Sequence, residues 1–536
     1  MHLRGRFFTK IIALILSFIL CFICFSGCRG SDSGKSTAWL LSSTPKNLDP
    51  QTAKNESELL IIKNCFTGLF EKNSGGELLS SIATHFDTSE NGLRYIFHLS
   101  EECYWSRFED GKLKKYAPVT AHDFVFAIQR LFTDNPNASI MNILSDIKNA
   151  DKVIAGESVK KLSVFAEGDY KLVIDLKEKN PALPEAFTDP LLFPCNKAFF
   201  DETAGKYGLS ADSLLFNGCF ALKSWSESII KLTKNPNGSI KPKIDSVTLY
   251  LPKSTREHTN LLKEGDIDAA LLSNEQFSSI NSSAFSVSSR PCAIWVMVFN
   301  PQSALWNQNL RDSVSKCTDR SVLEKESSHL SPINTLISDS AVLFSENYRK
   351  LAKDVSAPAF NPQIALEHYK NGLLEAGVSD LYSAEIFVPK EEFGDEFSAL
   401  NQIYQRELSL YFTPTYMQSS AILQRVKSGN FEAVIYPLQI TCDTPSCILD
   451  YFSSSSPTCI FPLSLPDFVS SYSSAVREGE VNAAASLYAN AESSILNSAQ
   501  VIPLCFEKNF FVSQKNISGF EIDTSGAILF KSVDKK

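Results

Sequence analysis

The sequence predicts a mixed fold of the α/β or α+β class, because stretches of period two alternate with stretches of helical period along the chain. Three kinds of stretch carry the signal. "LRYIFHL" (93–99) puts Leu93, Tyr95, Phe97 and Leu99 on one side, as a half-buried strand does, and "YKLVIDLK" (170–177) and "SVTLYL" (246–251) alternate likewise. "APVTAHDFVFAIQRLF" (117–132) changes period: Phe124, Ile128, Leu131 and Phe132 recur at i, i+4, i+7 and i+8, one face of an amphipathic helix. "CAIWVMVFN" (292–300) is a continuous apolar run bounded by Pro291 and Pro301, which reads as a buried strand.

The helix beginning near Thr120 has a capping box, since Asp123 stands three residues after the cap. Asp123 is therefore read as a structural cap and not as a catalyst. Further helices are expected over 310–325 and 362–378, the second ending at Gly377, a residue suited to a C-cap. "YFSSSSPT" (451–458) reads as a polar exposed loop.

The chain has 536 residues, 44% hydrophobic and 21% charged, as expected of a globular protein with several domains. Its net charge of −9 and the lack of a Lys/Arg block beyond the N-terminus argue against a nucleic-acid partner. The N-terminus carries Arg4, Arg6 and Lys10, then an uncharged apolar run from residue 11 to 25, then Ser26-Gly27-Cys28. A basic start, an apolar centre and small residues make a secretory signal. Ser26-Gly27-Cys28 also resembles the bacterial lipoprotein box, which implies a signal over 1–27, lipidation of Cys28 and a polar tether over 28–37.

"PLQITCDTPSCILDYF" (437–452) poses the main chemical question, with Cys442 and Cys447 near Asp443 and Asp450. The thiols are five residues apart with no second pair nearby, a weak pattern for zinc. The chain has 13 cysteines without a C-x-x-C motif or a dense disulfide framework. Its seven histidines are dispersed, none at ligand spacing from another. No P-loop, G-x-G-x-x-G, H-E-x-x-H or G-x-S-x-G motif occurs. The expectation is a non-enzymatic protein with no cofactor and no metal.

Several stretches, taken in order, resemble the extracytoplasmic solute-binding proteins of peptide ABC transporters, the oligopeptide/dipeptide-binding family. These are "NLDPQTAKNESELLIIKNCFTGLFE", "GLRYIFHLSEECYWS" followed by "APVTAHDFVFAIQRL", "NGCFALKSWSESIIKLTKNPN", "LLKEGDIDAALL", "LRDSVSKCTDRSVL" and "VIPLCFEKNFFVSQKNISGFEI". The likeness spans the whole mature chain. It implies two lobes joined by a hinge. One lobe would comprise 38–75, 190–290 and 500–536, a subdomain would be inserted at 76–189, and the other lobe would comprise 291–499. Residues 292–300 and 501–506 would be the crossover strands.

The resemblance further implies a monomer that captures a peptide or peptide-like ligand between the lobes and presents it to membrane permease subunits. The ligand would pair with backbone at Lys54, Asn55 and Glu56 on one side and along Tyr436, Leu438, Gln439, Ile440 and Thr441 on the other. Tyr404, Ser139 and Ile140 stand where cleft residues are found in the family. Aligning Pro445 with the family's proline places Leu438 at its tryptophan and Thr441 at the aspartate that meets the peptide's α-ammonium. A threonine hydroxyl supplies no counter-charge. Three readings stay open: Asp443 supplies the charge; the ligand lacks a free α-amine or is not an ordinary peptide; or the register is displaced or peptides bind weakly. On this register Cys292 and Cys442 could come close enough to pair. A lipoprotein of the same fold that acts as a sensor or adhesin without import is the alternative from another class.

Overall fold

The computed structural model describes residues 35–73, 76–252, 257–301, 303–327, 329–352, 355–381, 383–523 and 526–536. The expected signal, Cys28 and most of the tether lie outside the described residues. Among the described residues the first strand starts at Ser36, so the last residues of the expected tether belong to the fold.

An eleven-stranded sheet runs through the molecule. Its strands, in chain order, are β1 (Ser36–Leu40), β2 (Phe220–Trp225), β3 (Ile229–Lys234), β4 (Ser246–Tyr250), β5 (Ala269–Leu272), β6 (Phe285–Phe299), β7 (Leu330–Pro332), β8 (Ser383–Pro389), β9 (Tyr411–Met417), β10 (Ala433–Gln439) and β11 (Val501–Gln514). Across the sheet they are ordered β2-β3-β4-β1-β5-β11-β6-β10-β8-β9, with β7 beside β11. β6 and β11 pair antiparallel from Phe285 opposite Gln514 to Val298 opposite Val501. β5 joins β11 at residues 510–513, while β10 joins β6 at residues 293–299. The two long strands thus belong to a different lobe at each end.

The apolar run at 292–300 is explained by cover on both faces. Ile294, Val296 and Val298 enter one core with Leu438, Ile495 and Phe506, while Trp295, Met297 and Phe299 enter another with Phe397, Tyr404 and Leu504. The strand starts seven residues earlier than expected, because it continues through Pro291. A proline cannot donate to a ladder, and the register slips between Pro291 and Ala293 and again between Trp295 and Val296, beside Pro503.

The 76–189 segment builds its own four-stranded sheet from Ala83–Thr88, Arg94–Leu99, Lys171–Asp175 and Val164–Ala166. Its apolar residues Tyr95, Phe97, Phe124 and Leu131 share one core with Leu41, Phe66, Phe216 and Phe220 of the first lobe. A buried ion pair ties the two together: Arg130 Nη1 donates to Asp49 Oδ1 at 3.0 Å and Nη2 to Oδ2 at 2.5 Å. Asp49 of the Leu-Asp-Pro segment is therefore a structural anchor.

The helix over 362–378 is observed as Pro362–Ala376, closed by Gly377 at φ +69°. The segment 310–325 forms two helices, Gln308–Cys317 and Ser321–Glu326. Thr318 ends the first: its hydroxyl donates back to Val314 O at 2.8 Å and meets Tyr404 Oη at 2.8 Å. Ten described cysteines are free thiols, Cys292 and Cys442 among them, so the considered pairing is not formed. Cys292 Sγ instead lies 3.4 Å from Glu507 O.

Thr120 and Asp123 form the expected capping box on Ala121–Asp134. Asp123 Oδ2 also accepts from Trp105 Nε1 at 3.0 Å. Burial raises its pKa to about 6, with the Thr120 and Trp105 hydrogen bonds pulling the other way. The folded-state value lies above the unfolded one, so the fold favours the protonated acid. Stability from this group is full below about pH 4 and is lost as pH rises to about 6. Relative to Asp123→Asn, the wild type should lose about 2 kcal/mol of unfolding free energy between pH 4 and pH 7. Parallel curves in denaturant titrations across that range would contradict this.

Candidate functional site

A cavity of about 580 Å³ lies between the lobes, within the range of about 300–1,000 Å³ usual for ligand sites. Its first wall comes from the helix Glu56–Cys65, the loop after it and the insert around residues 139–143 and 181–189. Its second wall comes from the stretch after β10, with Thr441, Cys442 and Cys447, and from Asp450, Tyr451 and Tyr488. The expected cleft stretch therefore reaches the cavity. β10 ends at Gln439, Ile440 N bonds Cys292 O at 2.9 Å, and the chain then turns through Pro445 into the short helix Ser446–Leu449.

Among the expected ligand residues, Ser139, Ile140 and Thr441 line this cavity. Ile440 and Asp443 line a neighbouring one, also of about 580 Å³. Lys54, Asn55 and Glu56 line neither, and their local chemistry explains why. Lys54 N and Asn55 N both donate to Glu58 Oε2, at 2.9 and 3.3 Å, while Asn55 Oδ1 accepts from Glu58 N at 2.9 Å. The backbone donors expected to meet a peptide are used to cap a helix, and Ala53 reaches the cavity in their place. Tyr404 is fully buried in a core of the second lobe against Thr318 and Phe412. Leu438 is fully buried in the other core of that lobe, Tyr436 packs on Phe461, and Gln439 O accepts from Tyr451 Oη at 3.1 Å.

The two cysteines form a local pair. Cys442 N donates to Cys447 Sγ at 3.2 Å, and Thr441 Oγ1 lies 3.7 Å from the same sulfur. The Cys442 thiol hydrogen-bonds to Cys447, which pushes the Cys442 pKa up and the Cys447 pKa down.

Charge distinguishes the cavity. Three lysines line it, Lys63, Lys72 and Lys531, and each meets a carboxylate: Asp523, Glu185 and Glu71 respectively. Three more acids, Asp189, Asp450 and Glu478, line it without a lysine or arginine partner among the described ion pairs. Burial raises the pKa of Asp189, opposed by its bond from Leu191 N at 2.8 Å and by the charge of Lys63. Burial likewise raises that of Asp450, opposed by the Tyr472 hydroxyl at 2.6 Å. Desolvated carboxylates of this kind gain most from a cation brought beside them. Asp450 stands in the quoted 437–452 stretch, yet its role depends on which way the turn after Pro445 faces. Asp189 carried no sequence signal beyond its type.

Asp443 is already engaged. Its Oδ1 accepts from Lys72 Nζ at 2.9 Å across the lobes. Burial works against the Lys72 charge, but Glu185 and Asp443 outweigh it and hold its pKa above the usual lysine value. A second bridge runs from Arg477 to Asp146 and, at 3.5 Å, to Glu178.

Two lobes enclosing a cavity between them, with paired strands passing from one to the other, define a bilobal solute-binding protein. Residues 77–458 match the family described as bacterial extracellular solute-binding proteins, family 5, and the chain belongs to that family. The dipeptide-binding protein of Lactococcus lactis subsp. cremoris (strain MG1363) is 22% identical over 549 residues, covering 97% of this chain and 98% of that protein. The oligopeptide-binding protein OppA of Bacillus subtilis (strain 168) is 22% identical over 560 residues, covering 98% of each. Among solved structures, the unliganded open form of the periplasmic murein tripeptide binding protein MppA superposes with a TM-score of 0.76 at 19% identity, covering 94% of this chain and 97% of that one. OppA of Listeria monocytogenes bound to peptide gives 0.67 at 20% identity, covering 94% and 100%.

The Lys72–Asp443 contact can be tested by a double-mutant cycle. Lys72→Met, Asp443→Asn and the double variant should give a coupling energy of about 1–3 kcal/mol in equilibrium unfolding. Additive effects would show that the two charges do not stabilise each other.

Proposed function

We propose that this chain is the substrate-binding subunit of a peptide ABC importer, anchored outside the cell membrane through lipid on Cys28. It captures an extended peptide between its lobes and hands it, as a monomer, to membrane permease subunits. The names of its full-length relatives and the interlobe cavity support this reading. Ligand contact with both lobes favours the closed state over the open one, and differential affinity of this kind drives hinge closure.

The observation that bears most on the ligand is the excess of carboxylates in the cavity. Thr441 brings no counter-charge for an α-ammonium, and Asp443 is paired with Lys72. Asp450 and Asp189, one on each wall, take over that role. The ligand is therefore a peptide with a free amine or a basic side chain, rather than one lacking an amine.

Isothermal titration with a peptide library, followed by the best ligand and its N-acetylated form, checks this directly. Losing the ammonium should weaken binding roughly 30-fold or more, the cost of unpairing a buried charge. Asp450→Asn should weaken the free-amine peptide and leave the acetylated one little changed. Equal affinity for both forms, in a ligand without basic side chains, would remove the ammonium reading while leaving peptide binding intact.

A further inference from the structure

A second cluster of donor groups lies outside the cavity, on the outer face of the insert's small sheet. Ala83–Thr88 pairs antiparallel with Arg94–Leu99 and sets His85 directly opposite His98. Cross-strand partners share a face. Their imidazoles stack with centroids 4.2 Å apart and an angle of 8°. Asp87, two residues along the same strand and so on the same face, has Oδ2 2.9 Å from His98 Nε2. One ligating atom from each of the three residues lies within 4.8 Å of the others.

The face is fixed by packing. Phe97 is fully buried in the first-lobe core and Phe86 packs on it, so the intervening residues must point outward. Thr84 Oγ1 lies 3.0 Å from His85 Nδ1 and donates to His98 O at 3.1 Å. Lys171 flanks His98 from the next strand. His85, Asp87 and His98 line neither cavity between the lobes.

Two imidazoles and a carboxylate form a donor set for zinc and its first-row neighbours, whereas calcium and magnesium take oxygen ligands. Three protein ligands leave a position open to water, the open form of a zinc site. Bonds of about 2.0 Å to one ion place tetrahedral ligand atoms roughly 3.4 Å apart. The present atoms, all within 4.8 Å of one another with His98 Nε2 2.9 Å from Asp87 Oδ2, would have to rotate about the side-chain bonds to reach that spacing. Exposure of Asp87 and His98, 64% and 25% of their side chains, gives the ion a path from solvent.

We propose that His85, Asp87 and His98 form a binding site for a divalent transition metal of the zinc type on the inserted subdomain. The site is separate from solute capture. It was hidden in the sequence because its histidines stand on different strands.

The test is titration of Zn²⁺ into the intact chain in detergent against a chromophoric competing chelator. One equivalent should bind in the wild type and be lost in the His85→Gln/His98→Gln variant, with Asp87→Asn weakened. Cys442→Ser/Cys447→Ser should keep it, and X-ray absorption should show nitrogen and oxygen neighbours without sulfur. Zn²⁺ should raise the thermal midpoint of the wild type but not of the double histidine variant, which should match the wild type without metal. Survival of the equivalent in the histidine variants, its loss in the cysteine variant, or equal competition by Ca²⁺ or Mg²⁺ would overturn the proposal.

Discussion

Everything in this molecule that bears on ligand capture depends on the antiparallel ladder between Phe285–Phe299 and Val501–Gln514. Each strand is held by one lobe at one end and by the other lobe at the other. Main-chain hydrogen bonds along the pair keep the lobes in register. Of the two slips, that at Trp295/Val296 lies within the second lobe, while the one at Pro291/Ala293 interrupts the ladder where the chain passes from one lobe to the other. A bulged stretch bends more readily than regular ladder, which makes this the natural place for the lobes to pivot.

The cleft opposite this ladder combines fixed ion pairs with unmatched acids. Lys72 links three segments, binding Glu185 of the insert and Asp443 of the second lobe. Such a bridge limits how far the lobes part, whereas Asp189 and Asp450 have no direct lysine or arginine partner among the described ion pairs, Lys63 acting on Asp189 only through its charge. A cationic group arriving between them would lower the pKa of both and draw the walls together. Binding and closure then share one electrostatic cause.

Much of the fold was legible in the sequence because local rules and tertiary packing agree there. The helix at Ala121–Asp134 carries its own cap and apolar stripe, and Gly377 supplies the left-handed C-cap its helix needs. The site was legible only in outline. Residues 437–452 do reach the cavity, through Thr441, Cys442, Cys447 and Asp450. Lys54, Asn55 and Tyr404 were harder, because whether a polar group faces a ligand or a neighbour is decided by packing. Glu58 claims the first two backbone donors, and a buried Thr318 claims the tyrosine hydroxyl. His85 and His98 illustrate the same limit. A slip of one residue between their strands would put them on opposite faces, and spacing along the chain does not report register.

The central claim is that solute binding closes two lobes about the paired strands. Small-angle X-ray scattering of the chain with and without a saturating peptide tests it most directly. The account predicts a smaller radius of gyration and a shorter maximum dimension when peptide is bound. Scattering curves that stay superimposable while calorimetry shows the peptide bound would contradict it.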